Sequence, residues 1–510
     1  MRGDGEARPY VTGGTRRERG APRLRVPSGV ILLLVCLGQF MVILDVSVVN
    51  VALPSIRADL GFSAGGLQWV VNAYALTFAG FLLLGGRAAD LFGRRKLLLA
   101  GLALFCIASL LDGLATSQGE LVAARALQGL GGAVLTPATL TILIATYPEG
   151  RARARALGVW SAVAAAGGAS GALLGGIITQ FLTWRWIFFI NLPIGLAVLA
   201  GAALVVAESV GTQTARRHLD VGGAITVTGG VVALTWGIAR SQAVGWGAPE
   251  VIGAFCAGIA LLAVFVLLEA KVSRAPLVPL RLFASRSITG ANLVSFGVGA
   301  AIFSVWYFQS LYLQSVRGLS PLAAGLTFLP QTVAIAAGAQ ISSRLMSRWG
   351  ARPFLVAGPA LIGLGLLWLA QISVVPAVWS AVIVPGIVIT LGAGLVFPAI
   401  TVAATSGVSR AEAGLASGVV NTTRQVGGSL GLAALATLAA DHTASLASLG
   451  HSAPVALTGG FGLGLAAGAA IALASGIAGL VVPGLSRAPL SRRRPVVVES
   501  DEAEGMEAVA

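Results

Sequence analysis

The chain has 510 residues, of which 56% are hydrophobic and only 11% are charged, and its mean hydropathy is +0.87. Soluble domains carry about 25% charged residues, so this composition excludes an ordinary soluble protein and predicts an integral membrane protein. The net charge of +14 does not indicate nucleic-acid binding, because the basic residues are scattered through short loops rather than gathered on one face.

A helix that spans a bilayer needs about 20 apolar residues and tolerates almost no unpaired charge. The sequence contains fourteen stretches of this kind, at residues 30–52, 66–86, 97–115, 120–146, 156–178, 185–207, 221–240, 250–270, 288–316, 322–345, 353–373, 376–404, 413–440 and 456–484. If the N-terminus is cytoplasmic, most of the 34 lysine and arginine residues fall in cytoplasmic segments. Four fall outside, namely Arg57, Arg185, Arg240 and Arg317. This asymmetry follows the positive-inside rule and predicts that both termini are cytoplasmic.

An internal repeat predicts how the spans are grouped. Residues 343–352, after the tenth span, resemble residues 86–95, after the second span, although Ser347 stands where the first copy has Asp90. We therefore expect an all-α integral membrane fold of two six-helix bundles plus two inserted central helices. A chance likeness between two short basic loops is the alternative. The expected segments are a cytoplasmic tail (1–28), the first bundle (29–207), inserted helices 7 and 8 with their linkers (208–287), the second bundle (288–485) and a second tail (486–510), both tails being disordered.

Two of the ionisable residues within predicted spans are candidates for proton coupling. Asp45 is near the middle of the first span, where an ionised carboxylate is costly unless it is paired or hydrated. A carboxylate whose surroundings alternate between wet and dry can load and release a proton. Arg125 lies in the fourth span, and its guanidinium must face a cavity, an acid or backbone carbonyls. We predict that Arg125 tunes Asp45; the alternatives are a neutral packing acid and a structural arginine.

Further polar residues in the spans would be intolerable facing lipid, so we expect them to line a substrate cavity. They are Asn50, Gln128, Asn292, Gln309, Gln331, Asn421, Arg424 and Gln425. The ninth and tenth spans contain no acid. This surface of uncharged polar groups and aromatic rings favours a bulky amphipathic or weakly cationic ligand.

Glycines recur in the fifth span at Gly167, Gly171 and Gly175, with Gly176 beside them. Such spacing lets another helix approach closely. Packing there would seal one side of the cavity, and plain helix packing without a gating role is the alternative.

Together these motifs resemble the 14-helix drug:proton antiporter family of the major facilitator superfamily, over residues 30–485. The loop with Gly86, Asp90, Gly93, Arg94 and Arg95 is similar to the loop signature between the second and third helices. In that family Asp90 and Arg94 are implied to form a charge-relay latch that stabilises the outward-facing state.

The resemblance extends to three other spans. Residues 45–54 resemble the family's first-span signature, which implies that Asp45 is a protonation site, and Arg125 with Gln128 resembles the signature associated with proton coupling. Residues 184–195 are similar to the entrance of the family's sixth span. The fifth span departs from the pattern, because Ala172 stands where the family has proline, and a weaker kink is expected there.

We therefore expect a proton-coupled antiporter, not an enzyme, that exports small amphipathic drugs or antibiotics by alternating access. One proton crossing a potential of about 100 mV releases about 2.3 kcal/mol, and the sequence has no ATP-binding P-loop. The expected partners are a small-molecule substrate, protons and the lipid bilayer of a bacterial cell membrane, with no nucleic acid, cofactor or metal, and a monomeric state. A uniporter or solute importer of the same fold is the alternative within transport.

Overall fold

The computed structural model describes residues 27–148, 150–208, 219–273, 276–374, 377–408 and 412–483. Thirteen helical stretches among them are long and apolar enough to span a bilayer. The remaining predicted span, at residues 156–178, lies within a helix of 31 residues, which is also long enough to cross the hydrocarbon core. The predicted all-α membrane fold is therefore confirmed. The predicted tails, 1–28 and 486–510, lie outside the described residues except at residues 27 and 28.

In the described residues the N-terminal group contains eight helices: α1 (Ser28–Leu60), α2 (Ala64–Leu67), α3 (Trp69–Phe92), α4 (Arg94–Leu114), α5 (Gln118–Thr146), α6 (Arg151–Phe181), α7 (Trp186–Phe189) and α8 (Asn191–Val205). Within it, α1 packs along α6, and α3 and α4 pack on α5. The first helix is longer than the predicted span, because it continues through Pro54 and buries Ile56 near its end.

Two helices follow the N-terminal group, α9 (Val221–Val244) and α10 (Pro249–Leu267), and α10 continues into a π-helical turn at Leu268–Val272. Of the two, α9 packs against α3 on one side and against a later helix of the chain on the other, while α10 packs mainly on α9. Only 11% of the most apolar stretch of α10 is buried inside the protein. The central pair therefore covers one edge of the seam between the two halves, with α10 on the outside.

The C-terminal group begins with a 3-10 turn (Leu280–Ala284). It contains α11 (Arg286–Leu311, extended by a π-helical turn at Tyr312–Val316), α12 (Pro321–Thr327), α13 (Leu329–Trp349), α14 (Arg352–Leu369), α15 (Val384–Thr405, preceded by a π-helical turn at Trp379–Ile383), α16 (Ala413–Ser448) and α17 (Ala453–Ala478), which a 3-10 turn (Gly479–Val481) follows. Within this group, α11 packs mainly on α16, and α15 packs on both α13 and α14. The later helix that α9 contacts is α16.

The two groups meet where α1 approaches its C-terminal end at Leu60. The Ser310 hydroxyl of α11 donates to the Asn50 carbonyl of α1 at 2.5 Å, and the Gln314 amide donates to the Val51 carbonyl at 2.8 Å. The groups also contact each other where α6 packs on α12 and where α3 packs on α16. We call the side of the molecule at which α1 ends the Leu60 end.

Candidate functional site

The structure brings Asp45 and Arg125 together inside the N-terminal group. Arg125 Nη1 lies 2.6 Å from Asp45 Oδ2, and the two side chains are 2% and 0% exposed. The other carboxylate oxygen, Asp45 Oδ1, accepts from the amide nitrogens of Gln128 and Asn191, both at 2.9 Å. Ser109 accepts from the same two amides, at 3.2 and 3.0 Å. We call these five residues the coupling cluster.

The guanidinium of Arg125 has several further partners besides Asp45. Its Nε donates to the Val70 carbonyl at 3.0 Å, and its Nη1 also donates to the Gln128 amide oxygen. The ring of Tyr74 lies 4.5 Å from the guanidinium carbon and the ring of Phe188 lies 5.6 Å from it. A buried arginine that is hydrogen-bonded, paired and stacked in this way satisfies the requirement for burying a permanent charge.

Among the described residues, six helices supply the cluster and its walls, and local sequence fixes where α5 and α8 begin. The start of α5 is a capping box, in which Ser117 accepts from the Glu120 amide and Glu120 accepts from the Ser117 amide. This start sets the register of Arg125 and of Gln128, which follows one turn later on the same face. Asn191 is the first residue of α8, just after the short helix α7 has placed Phe188 beneath the guanidinium.

The predicted latch loop connects α3 to α4. The Arg94 guanidinium bonds to Asp90 at 3.2 Å, in a pair whose aspartate side chain is 49% exposed. The Glu208 carboxylate accepts the backbone amide of Arg95 at 3.2 Å, and the Arg95 guanidinium donates to the Ala203 carbonyl.

Two glycines let this loop pack. Gly93 has φ of +112°, which favours glycine, and a Cβ there would lie 2.5 Å from a carboxylate oxygen of Glu208. A Cβ at Gly85 would lie 2.4 Å from the Ala133 carbonyl oxygen, whereas Gly86 has ordinary space. All the contacts described for this loop are to α3, α5 and the end of α8, within the N-terminal group.

The glycines of α6 lie at close helix contacts. A Cβ on Gly167, Gly171 or Gly175 would come within 3.0 Å of an atom of α1, the shortest approach being 2.5 Å from Gly171 to Ser47. Gly176 faces α12 instead, where a Cβ would lie 2.7 Å from the Pro321 carbonyl oxygen. The helix runs without a break through Ala172, as expected without proline.

The predicted cavity residues do not form one group. Gln128 belongs to the coupling cluster and is fully buried, so the geometry does not favour a place for it on a cavity wall. Asn50 donates to the Val46 carbonyl in its own helix, and Asn292 accepts from Thr423. The buried amide of Gln309 has no hydrogen-bond partner among the described residues.

Other predicted cavity residues lie on α13 and α16. Gln331 is 2% exposed, and its amide nitrogen makes a long bond of 3.4 Å to the Thr327 carbonyl. On α16 the Arg424 guanidinium donates to the Asn421 amide oxygen at 2.9 Å and lies 5.1 Å from the ring of Phe397. Gln425 is half-buried beside them. In the described part of the chain no carboxylate lies within ion-pair distance of Arg424.

A cavity of about 240 Å³ lies between the two groups at the Leu60 end. Its walls come from α1, α2, α9, α11, α16 and α17, and they are mainly apolar, with polar groups from Arg57, Gln242 and Thr443. The eight predicted cavity residues are absent from this lining. The periodicity of single helices could not reveal this space, because it depends on how six helices meet.

Sequence reasoning missed three polar residues in or beside the coupling cluster: Ser109, Tyr74 and the buried acid Asp112. Asp112 is an acid within the third predicted span, which was a usable signal, but it lies close to the end of that span, where a charged residue is usually hydrated. Glu208, which holds the latch loop, gave no signal at all, because the contact joins residues more than a hundred positions apart.

Comparisons with known proteins agree with this architecture. The family model of the Major Facilitator Superfamily matches residues 35–432. The chain is 42% identical over 457 residues to the cephamycin export protein of Amycolatopsis lactamdurans, covering 89% of this chain and 93% of that protein. It is 38% identical over 433 residues to the puromycin resistance protein of Streptomyces alboniger, covering 84% and 85% of the two chains.

Solved structures support the fold. The structure of an auto-inhibited peptide transporter of the POT family has a TM-score of 0.66 at 16% identity, covering 90% of this chain and 98% of that one. The nucleoside transporter NupG has a TM-score of 0.64 at 12% identity, covering 89% and 99%. The chain belongs to the major facilitator superfamily. It is accordingly a multi-pass membrane transporter of small molecules and not an enzyme, as the sequence predicted.

Proposed function

We propose that this transporter exports small amphipathic antibiotics in exchange for protons, by alternating access between the N-terminal and C-terminal groups. Drug export is supported by its relatives, among them a cephamycin export protein and a puromycin resistance protein. Proton coupling is supported chiefly by one observation, the buried contact of 2.6 Å between Asp45 and Arg125. A carboxylate sealed in this way, if exposed to water when the groups rock, can exchange its proton across the cycle.

The side on which the structure is closed fits this cycle. With both termini in the cytoplasm, the Leu60 end faces the outside, and the bonds from Ser310 and Gln314 to α1 close that face. We infer that this conformation belongs to the half of the cycle that is shut toward the outside. Opening it would break those two bonds and the close contact of Gly176 with α12.

The charge at Arg424 favours anionic substrates over the weakly cationic ones that composition suggested. This guanidinium lies on α16 with an amide and an aromatic ring as partners, and a cation within the membrane normally needs a counter-ion. A substrate carboxylate would supply that charge, while the ring of Phe397 would pack against apolar parts of the molecule.

Asp45→Asn tests the coupling. Purified protein is reconstituted in liposomes with an imposed pH gradient, and accumulation of cephamycin and puromycin is measured. We expect the variant to lose gradient-driven accumulation, because asparagine cannot take up a proton, while Glu250→Gln, at an exposed acid paired with Arg240, should accumulate drug as the unmodified protein does.

Normal pumping by a folded Asp45→Asn variant would reject the coupling role. Downhill drug movement that ignores the pH gradient in the unmodified protein would instead indicate a uniporter of the same fold.

A further inference from the structure

Asp112 is a buried acid whose carboxyl group has no hydrogen-bond partner in the part of the chain that the structure describes. It lies in the last turn of α4 and its side chain is 0% exposed. Among the described residues neither of its carboxyl oxygens receives a hydrogen bond. Burying an ionised carboxylate without a donor is among the costliest arrangements in a protein interior, so we expect this group to be neutral in this conformation.

Asp112 receives no hydrogen bond from the nearby buried cation, Arg125, because that cation is already bonded to Asp45. Arg125 on α5 interacts electrostatically with both Asp112 and Asp45, and Asp45 holds the guanidinium together with the amides of Gln128 and Asn191. Two carboxyl groups therefore share one buried cation. One guanidinium balances the charge of one carboxylate, so we expect the other carboxyl to carry a proton.

The other elements packed around α4 do not change this balance. From α3 the nearby titratable group is Tyr74, whose ring covers the guanidinium. From α7 and α8 the neighbours are the neutral side chains of Phe188, Phe189 and Asn191. Arg185, just before α7, is directed away, since it donates to the Ala115 carbonyl and to the exposed Asp59.

Asp112 also has a favourable place for carrying a proton. It lies one turn beyond Ser109 on the same face of α4, and Ser109 is a member of the coupling cluster. Ala115, three residues further, is bonded to the exposed pair of Arg185 and Asp59. This face of α4 therefore runs from the coupling cluster, which contains Asp45, toward the Leu60 end.

We propose that Asp112 is a second proton site, which exchanges its proton with Asp45 and connects the coupling cluster to the Leu60 end. In the exchange, the carboxyl O–H of Asp112 breaks and an O–H bond forms on a carboxylate oxygen of Asp45. Arg125 keeps its charge and changes its partner from Asp45 to Asp112. The number of protons and charges is unchanged, so the buried cluster stays neutral throughout. The inference depends on the proposed proton coupling.

The test compares Asp112→Asn, Asp45→Asn and Glu250→Gln in liposomes, using cephamycin and puromycin as probes. Two transport modes are measured: exchange of labelled drug at equal pH on both sides, and accumulation driven by a pH gradient. We expect Asp112→Asn to keep exchange within about twofold and to lose about tenfold or more of the gradient-driven rate, because only the second mode needs proton release at the Leu60 end. The exchange rate of Asp112→Asn, measured against pH, should also show one titration step fewer than that of the unmodified protein.

The possible outcomes separate the two proposals. If Asp45→Asn is inactive while Asp112→Asn pumps at the normal rate with the normal pH profile, the second proton site is wrong and the coupling proposal stands. If Asp45→Asn also pumps normally, the coupling proposal itself fails.

If Asp112→Asn does not fold, infrared spectroscopy provides a second test. Infrared difference spectra of the unmodified protein and of Asp112→Glu are recorded between two pH values. A protonated carboxyl band that responds to drug and shifts in Asp112→Glu supports the proposal, and a shifted band that never responds to drug or pH overturns it.

Discussion

The N-terminal group and the C-terminal group treat buried polarity differently. In the first, the buried guanidinium of Arg125 has a carboxylate, an amide, a carbonyl and two aromatic rings as partners. In the second, Arg424 is half-buried and bonds to one amide beside one ring. A charge that is fully satisfied by its own protein suits an internal switch, whereas a charge with spare capacity suits a ligand site.

The same contrast extends to neutral side chains. Gln128, Asn191 and Ser109 use their polar atoms on one another and on Asp45, in a single network. In the C-terminal group, both amide atoms of Gln309 and the amide oxygen of Gln331 are buried without partners among the described residues. Unmet hydrogen-bonding groups bind a ligand or water readily, because leaving them unmet is costly.

The largest effect is expected from Arg125→Gln. Removing one partner of a buried ion pair leaves the other uncompensated, which costs about 3 to 5 kcal/mol of stability. The free energy of unfolding in detergent should fall by this amount, and gradient-driven export should be lost.

The matched control for Arg125→Gln is the double variant Asp45→Asn with Arg125→Gln, which removes both charges. It should recover most of the lost stability and none of the export. If the double variant is as unstable as the single one, the loss comes from packing against Tyr74 and Phe188, and the ion pair is not what the N-terminal group depends on.

The sequence predicted more of the N-terminal group than of the C-terminal group. Asp45 and Arg125 could be assigned to one site because charges within spans are rare and must find each other. Their neighbours Ser109 and Tyr74 could not, because uncharged residues in a span give no signal until the helices are packed. In the C-terminal group the polar residues were many and bond to carbonyls one turn away in their own helices, as for Asn292 and Asn421, so composition alone assigned them to one cavity.

An intermediate effect is expected from Arg424→Gln. Glutamine can still donate to Asn421, so the fold should be retained, but the attraction for a substrate carboxylate is lost. Exchange in liposomes is compared for fluorescein and rhodamine, which share a ring system and carry opposite charges. We expect the preference for fluorescein to fall about tenfold, which corresponds to about 1.4 kcal/mol. An unchanged ratio of the two dyes would remove Arg424 from the substrate site.

The smallest effect on stability is expected from Arg94→Ala. The pair of Arg94 and Asp90 is partly exposed and four residues apart in sequence, so its loss should cost less than about 1 kcal/mol. If the latch acts as the family resemblance implies, its loss should nevertheless favour the conformation closed at the Leu60 end and slow turnover.

Labelling of an introduced cysteine can measure this shift, since Cys36 and Cys106 are buried. Leu322→Cys places a thiol where α12 packs on Gly176, in a chain whose exposed Cys256 is replaced by alanine. The thiol should react more slowly with a water-soluble maleimide in the Arg94→Ala background, because the Leu60 end opens less often. Lys96→Ala in the same loop is the control, since its side chain does not take part in the bond to Asp90. Equal labelling rates in all backgrounds would show that the loop holds α3 and α4 together without controlling which face is open.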